Sequence, residues 1–149
     1  MIRTHDSLIV QIIGRVLIPL IQLFGIYVLC FGQFGPGGGF VGGVIVGTSL
    51  VFSMLVFGLD SAWQRIIFRV IQGDGVGLLV FAGVGGLCLL AGGEFLNYTE
   101  LPIPGLDAAS RRFVGIFMAQ LGVAIDVAVT ALSIVLHLAD SSRGYGASS

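Results

Sequence analysis

Apolar residues dominate four long runs of this chain, and polar or glycine-rich connections separate the runs. A helix that crosses a membrane needs about 20 mostly apolar residues, and four segments reach about that length. They are residues 8–31, 34–59, 75–93 and 113–139. The pattern predicts an all-α integral membrane protein in which residues 1–149 form one domain with four transmembrane helices, ending in a flexible tail at residues 140–149.

The three connections between the runs differ in character. The first is short and rich in glycine, so the first two helices are predicted to form a tight hairpin. The second, Asp60–Asp74, combines arginines with apolar and aromatic residues, which is typical of a short helix lying in the membrane interface. The third, residues 94–112, contains two prolines and is predicted to be an ordered polar loop with solvated acids at Glu100 and Asp107.

Composition supports a membrane environment. The chain has 149 residues, of which 56% are hydrophobic and 10% charged, whereas soluble domains carry about 25% charged residues. So few charges cannot cover a water-exposed surface, and a net charge of -1 gives no reason to expect a nucleic-acid partner. The first run is interpreted as a retained helix, because no cleavage site follows a short apolar core.

The arginines indicate an orientation in the membrane. Four predicted crossings place both termini on one side, and cytoplasmic loops of membrane proteins carry an excess of Lys and Arg. Arg111 and Arg112 fall on the opposite side, together with the glycine-rich connection. Both termini are therefore predicted to be cytoplasmic, on the side that carries Arg3, Arg65, Arg69 and Arg143.

The glycine-rich connection continues into the second apolar run. Residues 35–43 read GPGGGFVGG. Proline is favoured in the first turn of a helix, so the second helix is predicted to begin near Pro36. Glycines then recur every four residues and leave one helix face as bare backbone. The predicted helix-packing motif consists of Gly35, Pro36, Gly37, Gly38, Gly39, Phe40, Gly42, Gly43 and Gly47.

Two functions are compatible with this motif. In lipid, helices with small residues four apart associate by close packing, and we favour that interpretation. A glycine-rich turn at a helix N-terminus can also bind an ion through its free N–H groups. A nucleotide site is not indicated, because the motif lacks the Lys-Ser/Thr pair of a P-loop and follows no strand.

A second group of polar residues lies inside the fourth run. Burying the Asp126 carboxylate at bilayer depth is costly unless it is protonated or has a partner. On the preceding turns, Gly115, Ala119 and Gly122 share its helix face. Two alternatives remain open, a buried contact with another subunit or a proton or cation relay, and both involve Asp126, Thr130, Ser133 and His137.

Isolated polar residues elsewhere in the apolar runs are candidates for contacts with neighbouring subunits. The first run carries Gln11, Arg15 and Gln22 at helical spacing. Arg15 can extend its charged group to the membrane surface, which we favour, or it can pair with a carboxylate of another chain. The candidate inter-subunit contacts are Arg15, Gln22 and Glu94.

Residues that would indicate enzymatic chemistry are not apparent. Cys30 and Cys88 both lie in apolar runs, where free thiols behave as small hydrophobic groups, and neither has a second Cys or a His at metal-binding spacing. His5 and His137 have no Ser or Cys partner visible in the sequence. We predict that the chain is not an enzyme on its own and binds no metal or other cofactor.

The sequence PGGGFVGG at residues 36–43 resembles the signature of the B subunit of Mrp-type (also called Mnh) multisubunit cation/proton antiporters. The four-span layout and the chain length agree, so the resemblance covers nearly the whole chain. It implies an accessory subunit of a Na+/H+ antiporter in a prokaryotic cytoplasmic membrane, packed beside larger antiporter-like subunits and lining an ion path. The other membrane subunits, the lipid bilayer, Na+ and H+ are then the expected partners.

Two positions depart from the pattern that the resemblance implies. Family members often carry a His or His-Asn just before the Pro-Gly-Gly-Gly-Phe sequence, where this chain has Gly32-Gln33-Phe34-Gly35. Many have an acidic residue near the start of the last span, where this chain has Gln120. A proton-path role for Asp126 therefore rests on its predicted burial and not on the family pattern.

Two other functions stay open at this point. A similar B-like subunit occurs in the membrane arms of energy-converting hydrogenases and related ferredoxin-linked respiratory complexes, where hydrogenase-like redox subunits on other chains would be the partners. A stand-alone small transporter or assembly factor is the third alternative. The short chain and its single mid-membrane acid argue against independent transport.

Overall fold

The computed structural model describes residues 8–58 and 75–146, with side chains as far as residue 138. The helices are α1 (Leu8–Phe31), α2 (Gly39–Phe57), α3 (Val76–Leu90) and α4 (Ala108–Gly146), with a 3-10 turn at Tyr98–Glu100. No strand occurs in these two ranges, so the prediction of an all-α fold is confirmed. The interfacial helix predicted at residues 60–74 lies outside the described residues.

Among the described residues, three helices are long and apolar enough to cross a membrane, namely α1, α2 and residues 108–138 of α4. The third predicted run, residues 75–93, forms only the 15-residue α3, which is about 22 Å long against a bilayer core of about 30 Å. The helix ends early because the chain turns at Gly92, whose φ is +88°. There the Gly93 N–H donates a hydrogen bond to the Cys88 carbonyl.

The second helix begins later than the sequence predicted. It starts at Gly39, three residues beyond Pro36, and follows a tight turn from the end of α1. Gly38 adopts φ +111°, a conformation that side chains with a Cβ rarely adopt. Its N–H donates to the carbonyl of Val28, with N and O 3.3 Å apart. The turn therefore contains Gly35, Gly37 and Gly38 of the motif, and helix α2 contains the glycines from Gly39 onward.

Helices α2 and α4 run parallel with their backbones in contact. A Cβ placed on Gly43 would lie 2.7 Å from the carbonyl oxygen of Ala124, closer than real Cβ atoms approach a neighbour. The same close approach recurs one turn before and one turn after, and it pairs Gly39 with Gln120 and Gly47 with Ala128. Glycine is required at Gly39 and Gly43, because the opposing backbone occupies the space that a Cβ would fill, whereas at Gly47 a Cβ would lie a tight 3.0 Å from the Ala128 Cα.

The other two helices flank this pair. Helix α1 runs antiparallel to α2, with Gly25 against Val46 and Gly14 against Val56. Helix α3 runs antiparallel to α4, where Gly77 lies beside Asp126 and Phe81 beside Gly122. The helices therefore stand in the order α1, α2, α4, α3, with α2 and α4 in the middle.

The buried core consists mostly of small side chains. Besides glycines, it contains Ile18, Ser49, Cys88, Leu101, Ala119, Ala124, Ala128, Val129 and Leu132. Large apolar side chains such as Leu20, Phe24 and Leu55 point away from the bundle and are more than half exposed. This inverted distribution is expected in lipid, where burying a large apolar side chain between helices brings no hydrophobic gain.

Helix α4 begins after a capping carboxylate and extends further toward the C-terminus than predicted. Hydrogen bonds from the side chain and backbone of Ser110 and from the backbone of Ala109 hold the pKa of Asp107 below its usual range, as expected for a helix-capping carboxylate. The Arg111 Nε donates to the carbonyl of Leu106 at 2.9 Å. The helix continues to Gly146, so residues 140–146 of the predicted tail are helical.

We expect Gly43→Ala to destabilise the protein, because the added methyl group would push α2 away from α4. Overpacking of this kind costs about 1–3 kcal/mol. Gly83→Ala is the matched control, since a Cβ there meets no atom within 4 Å and Ala is about 0.5–1 kcal/mol better than Gly inside a helix. The thermal unfolding midpoint of the purified protein measures both changes. Equal midpoints for the two variants would contradict the packing role.

We expect Asp107→Ala to lower stability at neutral pH and Asp107→Asn to keep part of that stability, since Asn can accept the same capping hydrogen bonds but carries no charge for the helix N-terminus. The folded-state pKa of Asp107 is lowered, so the charged cap stabilises the fold above the unfolded-state pKa of about 3.9. That contribution is lost as the pH falls through the folded-state pKa. The difference in midpoint between wild type and Asp107→Ala should therefore shrink from pH 7 to about pH 3. A constant difference would show that the charge plays no part.

Candidate functional site

The polar residues of α4 begin at the start of α3, where Gly77 lies beside Asp126, and continue along α4 away from α3. Asp126, Thr130, Ser133 and His137 are spaced by three or four residues, which puts them on one helix face. Asp126 and Ser133 are half-buried, whereas Thr130 and His137 are exposed. Because Ala124 and Ala128 face α2, this polar stripe, as we call the four residues, opens away from the centre of the bundle.

The small residues that precede Asp126 on the same face are covered. Gly115 packs against the ring of Tyr98, with a Cβ position 2.5 Å from the Tyr98 Cδ1. Gly122 packs against α3, where its Cβ position lies 2.6 Å from the carbonyl oxygen of Gly77, and Ala119 is buried. The accessible part of the face therefore begins at Asp126.

Ser133 and His137 form the connected part of the stripe. The His137 Nδ1 lies 2.8 Å from the Ser133 carbonyl oxygen and 3.5 Å from the Ser133 hydroxyl. A carbonyl oxygen only accepts, so Nδ1 carries the hydrogen in that bond. In the neutral imidazole the Nε2 is then the acceptor, and it is the atom of this ring that can receive a proton.

Asp126 lies against the first turn of α3. A Cβ placed on Gly77 would be 2.6 Å from the Asp126 backbone nitrogen and 2.8 Å from its Cβ. The N-terminus of a helix carries a partial positive charge, which favours a nearby carboxylate. In the part of the chain that the structure describes, the Asp126 side chain forms no hydrogen bond or ion pair.

The start of α3 is far from the end of α2. Since Ala124 meets Gly43, Asp126 stands level with Ile45, and the twelve residues from there to Phe57 span about 18 Å. Helix α3 therefore begins part-way along α2, at the level of the only acid in the fourth apolar run. Helices that start inside the bilayer place their positive ends at ion and substrate sites in many transporters.

The stripe is not continuous within the described part of this chain. Neither Asp126 nor Thr130 is hydrogen-bonded through its side chain to another described residue. The eleven residues from Asp126 to His137 span about 16 Å, much more than one hydrogen bond. The fold therefore joins Ser133 to His137 and leaves Asp126 separate. A relay would need water, or groups from a neighbouring chain, in the space between them.

The candidate inter-subunit residues lie on the outside of the bundle. Arg15 and Glu94 are exposed and Gln22 is half-buried. None of the three side chains forms a hydrogen bond or ion pair with another residue of the described ranges. Their predicted role at a subunit contact stays a prediction.

Two residues that matter structurally were noted in the sequence only as departures from a family pattern. Gln33 and Gln120 each have a buried side-chain atom without a hydrogen-bond partner. No sequence signal could have identified them, because their burial depends on the turn before α2 packing onto α4. No group of three or more His, Cys, Asp or Glu suited to a metal ion occurs among the described residues.

Comparison with known proteins agrees with the glycine motif and the helical fold. The family described as "Domain related to MnhB subunit of Na+/H+ antiporter" matches residues 9–133. The B subunit of the Na(+)/H(+) antiporter of Bacillus subtilis is 33% identical, over 86% of this chain and 94% of the relative.

Two further relatives show the same extent of similarity. The corresponding antiporter B subunit of Alkalihalophilus pseudofirmus is 31% identical, over 87% of this chain and 94% of its own length. A putative antiporter subunit mnhB2 of Staphylococcus aureus is 26% identical, over 90% and 95%. The family match spans α1 to α4, and with these near full-length relatives it confirms the resemblance seen in the motif: this chain belongs to the MnhB family of Na+/H+ antiporter subunits.

Proposed function

We propose that this chain is an accessory membrane subunit of a multisubunit Na+/H+ antiporter. The observation that carries the proposal is the family match over residues 9–133. Relatives that are named as antiporter B subunits cover nearly the full length of the chain. The role is that of a transporter subunit rather than an enzyme.

The packing of the bundle supports an accessory role. Ions could pass through the chain itself only between its helices, but α2 and α4 are in backbone contact at Gly39, Gly43 and Gly47. Only 17–22% of the residues in the most apolar windows of the three long helices are buried inside the chain. The remaining surface is available to lipid and to neighbouring subunits, so an ion path would run along the outside of this bundle.

The polar stripe is the surface that would line such a path. Within the described ranges the Asp126 carboxylate has no partner, and a bare carboxylate facing lipid is costly. A neighbouring subunit placed against Asp126, Thr130, Ser133 and His137 would enclose these groups and complete the connection that one chain leaves open. Protons or cations would then pass between Asp126 and the Ser133–His137 pair through bound water or groups of that subunit.

The assembly itself can be tested by purification of the tagged chain from its native membrane. Large antiporter-like subunits should copurify with it, and hydrogenase-like subunits among them would place the module in a redox-driven complex. A chain that purifies alone and exchanges Na+ for H+ in vesicles would contradict the accessory role.

We expect Asp126→Asn to remove most of the Na+/H+ exchange activity of the assembled complex, because it keeps the shape of the side chain and removes its charge. Exchange is measured in inverted membrane vesicles with a fluorescent pH indicator. Glu100→Gln is the matched control, since it removes an exposed carboxylate outside both the stripe and the candidate inter-subunit contacts, and it should keep wild-type activity. An assembled Asp126→Asn complex with full activity would eliminate the relay.

We also propose that both termini lie in the cytoplasm, which places the turn before α2 on the outer face. Gly35 is exposed, and a Cβ there meets no atom within 4 Å. In a Cys30→Ser background, Gly35→Cys should therefore react with a membrane-impermeant maleimide added to intact cells. A Ser148→Cys variant should react only after the cells are opened. Reversed labelling would invert the orientation.

A further inference from the structure

Pro19 interrupts the backbone hydrogen bonds of α1. It is the twelfth of the 24 residues of this helix, so it lies near the middle of a membrane span. Proline has no N–H, and the bond that an α-helix makes from residue 19 to the carbonyl of residue 15 is therefore missing. No donor from another part of the described chain replaces it. The Arg15 carbonyl is left open inside an otherwise apolar helix.

The open carbonyl faces outward from the bundle. Helix α1 packs against α2 through Gly14 and Gly25, on a different side of the helix. A helical carbonyl points along the axis toward the residue four positions later, and both Arg15 and Pro19 are exposed. The exposed residues on this side of α1, which we call the Pro19 face, are Ile12, Arg15, Pro19 and Ile26.

A lipid environment cannot satisfy this carbonyl. Lipid tails contain no hydrogen-bond donor, and an unpaired backbone group at this depth is costly. The Arg15 side chain does not serve either, because helical side chains tilt toward the N-terminus whereas carbonyls point toward the C-terminus. The guanidinium can extend to the membrane surface, but the backbone cannot move with it. The donor must therefore come from a second molecule.

The charge of Arg15 adds a second requirement at the same place. Its guanidinium forms no ion pair with another residue of the described ranges, and charges inside membrane spans usually pair with one another. The Gln22 amide lies on the adjoining side of α1, within about 60° of both Arg15 and Pro19 around the helix axis. The polar groups of this span are thus gathered on one side, where a cation and an acceptor await partners.

We propose that the Pro19 face binds a transmembrane helix of a neighbouring antiporter subunit. That helix donates a hydrogen bond from a hydroxyl or amide side chain to the Arg15 carbonyl, and it places a carboxylate beside the Arg15 guanidinium. Because the two groups of Arg15 point in opposite directions along α1, the carboxylate and the donor lie about one to two turns apart on the partner helix. The inference rests on the proposed accessory role, since it needs a second subunit.

A second copy of this chain does not fit the Pro19 face. The acid within its described spans, Asp126, is level with Ile45, whereas Arg15 is level with Leu55 because α1 and α2 are antiparallel. The ten residues between these levels span about 15 Å. Two copies share one depth and orientation in the bilayer, so the acid of one would lie far from the guanidinium of the other.

Pro19→Ala is the most direct test, because it returns the missing N–H to α1. The thermal unfolding midpoint of the purified chain should rise by several degrees, since alanine suits a helix interior far better than proline. The same change closes the carbonyl to the partner, so the assembled complex should lose its other subunits several-fold faster. Leu20→Ala is the matched control, at an exposed position that already has its N–H, and it should keep the wild-type rate.

Dissociation is followed by quantifying, over time, the subunits that stay with the tagged chain on beads in detergent. A Pro19→Ala complex that dissociates at the wild-type rate would overturn the proposal. So would a variant in which the midpoint of the chain falls as well, because Pro19 would then serve only the fold of α1. Either result would leave the accessory role intact, since wild-type copurification tests that separately.

The ion pair is tested by Arg15→Gln, which removes the charge and keeps a polar side chain. Loss of one partner of an interfacial charge pair acts mainly on dissociation, so the complex should dissociate about tenfold faster or more. Arg15→Lys keeps the charge and should fall between this variant and wild type. Arg112→Gln, which removes an exposed cation outside the Pro19 face, should have no effect. Equal rates for Arg15→Gln and wild type would refute the contact.

The occupant can be identified by a photoreactive amino acid placed at Ile12 or Ile26 in the intact complex. Both positions should form adducts with one antiporter subunit, on a helix that carries a carboxylate and a hydroxyl or amide about one to two turns apart. The same probe at Phe24, which is exposed on another side of α1, should not label that helix. Adducts with lipid alone, or with a second copy of this chain, would overturn the proposal.

Discussion

The contact between the backbones of α2 and α4 is the constraint on which the rest of this protein depends. In lipid the helices gain nothing from hiding apolar side chains, so their association relies on close packing and on hydrogen bonds. Gly39 and Gly43 permit that packing because a Cβ at either would enter the backbone of α4, and at Gly47 a Cβ would crowd Ala128. The cost of so many glycines in a helix is offset by contacts that no larger residue would allow.

This contact also determines where the polar residues can act. Because α2 occupies one side of α4 and α3 covers Gly122, the open part of the described α4 face begins at Asp126. Helix α3 starts at the same level, with its positive end beside the acid. The fold therefore directs its polar stripe outward, toward the surface that a neighbouring subunit would cover, and leaves no passage between α2 and α4.

The helices and the candidate stripe could be predicted from local sequence, whereas their partners could not. Periodicity alone put Asp126, Thr130, Ser133 and His137 on one face, because the side chains of a single helix repeat every 3.6 residues. The bond between His137 and Ser133 follows from the same spacing. The buried amide atoms of Gln33 and Gln120 and the packing of Gly77 against Asp126 each depend on a second segment, so no pattern within one run could reveal them.

Composition and local spacing were enough to predict the class of the protein, its apolar helices and its glycine motif, because these depend on residues close together in the chain. The family was indicated by the resemblance of that motif and is shown by the comparison with known proteins. The exact starts and ends of the helices could be determined only from the folded chain, in which α2 begins at Gly39 and α3 ends at Leu90. The folded chain was also needed to show which glycines of the motif form the turn before α2 and which contact α4. The physical reason is that each of these features depends on whether another backbone occupies the neighbouring space, which a hydropathy pattern does not record.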